Sequence, residues 1–148
     1  MRSLVPVATV ALVIAASSSA AGSPYTAKRT AACLTAHKVL TTQDRVKKVL
    51  PPGLKAVEAL SIGFAMIPAQ ATDSAELFFA VNGAAAKTLA AGWIRYSIEQ
   101  ASHVQGINQA DVRKRIRDHV SVQGNVVVGW GVDRPKLASK RLVASCLK

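Results

Sequence analysis

The stretch Glu76-Leu77-Phe78-Phe79-Ala80-Val81-Asn82-Gly83-Ala84-Ala85-Ala86 decides the fold. Its first six residues are rich in large apolar side chains that fall on both faces of an extended chain, which predicts a strand inside a sheet. Asn82 then has the side chain of a helix N-cap, and the segment from Ala84 to about His103 is the longest helical one in the chain. Ala86, Leu89, Ala90, Trp93, Ser97 and Ala101 form its apolar stripe, with Lys87, Arg95 and Glu99 elsewhere. Gly106 stops it.

Before this unit, Ser61 to Ile67 alternates, with Ile62, Phe64 and Met66 on one side and Ser61, Gly63 and Ala65 on the other. Pro68 ends that strand. Leu54 to Leu60 is compatible with either a short helix or a strand, and Pro51-Pro52-Gly53 marks a turn. Val39-Leu40-Thr41-Thr42 begins the first strand. Ala31 to His37 makes a short helix presenting Cys33, Leu34 and His37 on one side.

After the long helix, Gln109 to about Arg117 predicts a second helix with Val112 and Ile116 inward. Val120 to Trp130 is strand-like and bent into a hairpin at Gln123-Gly124-Asn125. Asp133 caps a last helix, with Pro135 in its first turn. Ala138, Leu142 and Cys146 are its buried side, beside Ser145. The expected fold class is α+β: a small antiparallel or mixed sheet with helices packed on one face and one disulfide.

Residues 1–21 read as an export signal, with Arg2, an apolar run from Leu4 to Ala16, then small residues at 17–22. An uncleaved anchor extended through the serines is the alternative, although that run is short against the ~20 residues of a membrane-spanning helix. Residues 22–30 form a flexible leader, and residues 31–148 one domain. The expected location is secreted or at the cell surface. There the two cysteines, Cys33 and Cys146, form a bridge rather than two buried free thiols. Closing a loop of this size stabilises a fold by roughly 4–5 kcal/mol in the chain-entropy model.

Cys33-Leu34, the segment Pro68-Ala69-Gln70-Ala71-Thr72-Asp73-Ser74 after Phe64, Gly124-Asn125-Val126-Val127-Val128, and Cys146-Leu147 together resemble a group of small exported actinobacterial proteins. The resemblance implies export and closure by the two cysteines, and it implies no activity.

The chain of 148 residues carries a formal net charge of +11, with only eight acidic residues. Loss of Arg2 with the leader leaves 18 basic against eight acidic residues, a net +10. Such a surface attracts polyanions, with anionic lipids and wall polymers the candidate partners, and a solvated basic surface tuned for solubility is the alternative. The densest cluster is Arg113-Lys114-Arg115 with Arg117. On a helix Arg113, Lys114 and Arg117 fan across the side opposite Val112, Ile116 and Val120, whereas Arg115 lies beside the apolar stripe. Lys47, Lys48, Lys136, Lys140 and Arg141 add basic surface. Sequence-specific nucleic-acid reading is not expected, because no interleaved aromatics or reading module accompany the charge. Trp93 and Trp130 read as packing residues.

Candidate catalytic arrangements are few. Cys33 and His37 are four apart, the spacing of an activated thiol on a helix, although export favours a half-cystine. Asp73 and Glu76 flank a strand start and are the carboxylates nearest in sequence to an acid–base pair. His37, His103 and His119 lack metal-ligand spacing, so no metal or other cofactor is expected. No catalytic motif is present, and a hydrolase or thiol enzyme would need a site assembled entirely by the fold. A role through protein partners would show as an exposed apolar patch of several hundred square ångströms.

Overall fold

The computed structural model describes residues 24–43, 50–64, 73–106, 108–131 and 135–148. In chain order these form α1 (Ala27–Ala36), β1 (Leu40–Thr42), β2 (Glu58–Gly63), β3 (Ser74–Phe79), α2 (Gly83–Ser102), α3 (Gln109–His119), β4 (Val120–Gln123), β5 (Val126–Trp130) and α4 (Leu137–Cys146). The expected signal at residues 1–21, together with Lys47, Lys48, Met66, Pro68 and Asp133, lies outside the described residues.

The five strands form one antiparallel sheet in the order β1-β2-β3-β5-β4. β3 is central, and its alternation explains the double-sided apolar pattern. Ala75, Leu77 and Phe79 join one buried cluster, while Phe78 and Ala80 join another on the opposite face. Phe78, Phe79 and Leu77 are fully buried. Each such side chain contributes roughly 1.5–3 kcal/mol by leaving water.

The expected α+β sheet with one bridge is what forms. The helices, however, were expected on one face and divide between two. α1 and α4 cover the face formed by Leu60, Ile62, Leu77, Phe79, Val126, Val128 and Trp130. α2 covers the other, where Ala59, Phe78 and Val127 meet Ala86, Leu89 and Ala90. The physical reason is that β3 and β5 are apolar on both sides, so one layer of helices would leave half their surface in water.

Two boundaries and one buried face also differ from expectation. α1 starts at Ala27, inside the stretch read as a flexible leader, because Thr26 caps it and Ala27, Thr30 and Leu34 fall on one buried stripe. β2 starts at Glu58 rather than Ser61, resolving the ambiguous Leu54–Leu60 segment in part as strand, with Ile62 on a buried face as its alternation predicts. On α4 the buried residues are Ser139, Val143 and Cys146, not Ala138, Leu142 and Cys146. Ser139 is drawn inward by a 2.6 Å hydrogen bond from its Oγ to Asp73 Oδ2, which turns Ala138 and Ser145 to solvent.

Asn82 caps α2 as expected, its Oδ1 accepting from the Ala85 N–H at 2.8 Å. The hairpin turns at Gly124-Asn125, with Gly124 at φ 57°, the left-handed conformation that glycine adopts without penalty. Gly129 is needed for a different reason: a Cβ there would run into the Trp93 ring, which α2 lays over the sheet. Trp93 meets Phe78 edge-on at 5.0 Å, and Trp130 stacks on Phe64 at 6.4 Å, so both tryptophans are packing residues.

The bridge between Cys33 and Cys146 joins α1 to α4 with a Cα–Cα distance of 5.6 Å. Both helices are also fastened to the sheet by carboxylates. Glu58 Oε2 accepts from the Ala27 N–H at 2.7 Å, at the start of α1. Asp73 Oδ2 accepts from the Lys136 N–H at 2.9 Å, at the start of α4. Each acid lies against the positive end of a helix and takes up one of its unpaired N–H groups. Two of the eight acidic residues are thereby structural.

Candidate functional site

α3 is the least buried helix, with no fully buried residue and with Val112 and Ile116 only half-covered. Asn108 starts it, its Oδ1 accepting from the Ala110 and Asp111 N–H groups at 3.0 and 3.4 Å. Asp111 near the start and Arg117 and His119 near the end match the helix dipole. Its sequence therefore both forms the helix and sets which side meets water.

Arg113, Lys114 and Arg117 lie together on the solvent side, as the helical spacing predicted, and all three are exposed. With Ala110 and Asp118 they line a shallow cavity of about 360 Å³. Among the described residues none of these three cations has an ion pair or a side-chain hydrogen bond. Guanidinium and ammonium donors of this kind suit phosphate oxygens. Arg115 lies on the flank of α3 and is exposed.

Asp118 also lines a second cavity, of about 150 Å³, between the edge strand β4 and α4. Val128, Trp130 and Val143 form its apolar floor, and Ser121, Gln123 and Lys140 its polar walls. Gln123 is held in place because its Nε2 donates to the carbonyls of Ala144 and Leu147 at 3.1 and 3.0 Å. No sequence pattern marks this groove. Lys140 reads in the sequence as basic surface, and its place in the same groove as Asp118 depends on how α4 crosses the sheet.

The two candidate catalytic arrangements come apart. Cys33 is bridged and no free cysteine exists among the described residues, so His37 has no thiol to activate. Asp73 points to the α4 side of the sheet, whereas Glu76, three residues on, lies on the opposite face. Asp73 is buried and spent on α4. Glu76 is half-buried beside Ser61 and Gly129 in the register, and burial raises its pKa above the ordinary carboxylate value of 4.5. No three His, Cys, Asp or Glu side chains gather to hold a metal among the described residues.

The exposed large apolar residues Leu40, Val57, Val81, Tyr96, Val104, Val122 and Leu137 are distributed over separate elements and loops. No helix among the described residues is long and apolar enough to cross a membrane. The chain matches no known protein family, no curated protein and no solved structure.

Proposed function

We propose that this protein is a non-catalytic, exported binding module that holds phosphate-bearing envelope material, either anionic lipid headgroups or wall polymers, on the outer face of α3. The observation that carries this reading is the exposed trio Arg113, Lys114 and Arg117, gathered on one helix side with one carboxylate, Asp118, beside them and no ion pair to it. The formal net charge of +11 adds long-range attraction to the same partners. The bridge between Cys33 and Cys146 suits an oxidising compartment outside the cytoplasm, in keeping with the export signal read at residues 1–21 and with the resemblance to exported actinobacterial proteins.

Retention on phosphatidylglycerol vesicles and on phosphate-rich wall fragments tests it, as salt rises from about 0.05 to 0.5 M, where screening acts within a few ångströms. Binding is expected to collapse across that range. A surface cation contributes roughly 1 kcal/mol at an anionic membrane, so replacing Arg113, Lys114 and Arg117 by Gln weakens vesicle binding roughly a hundredfold. These side chains are exposed, so stability should move by less than about 0.5 kcal/mol each. Equal retention of the triple variant removes the reading.

A further inference from the structure

The α3 face and the β4–α4 groove meet at Asp118, which lines both cavities. The α3 cavity, at about 360 Å³, sits at the low end of the ~300–1,000 Å³ of ordinary small-molecule sites, and the groove, at about 150 Å³, falls below it. Their chemistry differs in a way that specifies a ligand. Over α3 the lining is mainly cationic, three cations to the one carboxylate of Asp118, whereas the groove offers a mixed set: Asp118, Ser121, Gln123 and Lys140 around an apolar floor of Trp130 and Val143.

We infer that the two cavities form one bipartite site for a phosphorylated polyol or sugar, with the phosphate over Arg113, Lys114 and Arg117 and the hydroxylated part in the groove. This rests on the anion-binding reading of α3 and names the ligand of that site. A bare phosphate would use only the cations. An alkyl chain would leave the groove's carboxylate, hydroxyl and amide oxygens stripped of water and unpaired, which is costly. A row of hydroxyl groups satisfies them. Asp118 accepts from hydroxyls, Lys140 donates, and Ser121 can do either. Gln123 has its Nε2 engaged with α4, so it offers its carbonyl oxygen as an acceptor. The C–H surface of the polyol covers Trp130 and Val143. Asp118 has a second effect: it sets one negative charge at the junction, which disfavours a second phosphate in the groove and orients the ligand.

The test compares three probes of similar charge on the full chain: glycerol 3-phosphate, n-propyl phosphate and inorganic phosphate, followed by amide chemical-shift titration. Glycerol 3-phosphate is expected to bind at least tenfold more tightly than the other two, and to shift Ser121 and Gln123 as well as α3. Ser121→Tyr fills the groove from an exposed strand position that tolerates an aromatic residue, and Lys140→Glu reverses its charge on exposed α4. Each should abolish the preference for glycerol 3-phosphate; Ser121→Tyr leaves inorganic phosphate binding unchanged, whereas Lys140→Glu weakens all three probes to a similar final affinity, and the second variant guards against a folding defect in the first. Equal affinities for all three probes in the wild type, with vesicle retention still dependent on Arg113, Lys114 and Arg117, would overturn the bipartite site alone. No phosphate binding and no effect of the α3 substitutions would overturn both.

Discussion

Ser139 and Asp73, 66 residues apart, meet through a 2.6 Å hydrogen bond buried at the start of α4. The same carboxylate oxygen accepts from the Lys136 N–H, so the sheet supplies the cap that α4 lacks in its own sequence. Asp73→Ala strips both donors of their acceptor in a site closed to water. Hydrogen bonds to a charged group are worth roughly 1.5–3 kcal/mol, so a loss of about 2–4 kcal/mol is expected in denaturant unfolding. Ser139→Ala should cost less, and the double variant should cost less than the sum, because both changes break one contact. Strict additivity would show that the two residues act independently.

Asn125 plays the corresponding part at the opposite end of the sheet. Its Oδ1 accepts from the Tyr25 N–H at 2.8 Å, and its Nδ2 donates to the Tyr25 and Ala80 carbonyls, both at 3.0 Å. One amide thus joins the segment before α1, the end of β3 and the β4–β5 turn. Asn125→Ala is expected to lower stability by about 2–3 kcal/mol. Asn125→Asp should be as harmful, since a carboxylate cannot donate to the two carbonyls. Amide exchange at α1 would report the loosening, and unchanged protection there would disprove the link.

Glu76 gives the pH dependence a sign. Burial raises its folded-state pKa above 4.5, the value expected in the unfolded chain. Between those two values the folded protein binds the extra proton, so this group's contribution to stability falls as pH rises through the window and is least favourable at neutral pH. Glu76→Gln should therefore stabilise the protein at pH 7, with the advantage shrinking as pH falls below the ordinary carboxylate range. Paired denaturant titrations at pH 7 and pH 4 measure it. A variant less stable than wild type at pH 7 would mean that the charge is satisfied by a partner.

What was legible in the sequence was whatever depends on local spacing. β3, the Asn82 cap, the α2 stripe, the hairpin at Gly124-Asn125 and the cationic side of α3 all follow from periods of two or 3.6 residues and from turn chemistry. What could not be read depends on partners distant along the chain. The early start of α1 is secured in part by Glu58, 31 residues away, and the buried side of α4 is set by Asp73, 63 residues from Lys136. The division of helices between two faces was hinted at by the two-sided apolarity of β3, but it also needs the pairing of β3 with β5. The groove beside Lys140 had no sequence signal, because β4 and α4 meet only through the crossing of the fold.

The pairing of β3 with β5 divides the molecule along a seam. One half contains α1, β1, β2, β3 and α2, the other α3, β4, β5 and α4. The peptide thread between them runs through the exposed corner at Val104. The sulfur bridge from Cys33 to Cys146 crosses the same divide by an independent route. A protease that nicks the corner would thus leave a two-fragment protein still held covalently and still zipped through its middle strands. The halves would separate only when reductant and denaturant act together, which gives such a molecule endurance in surroundings rich in peptidases.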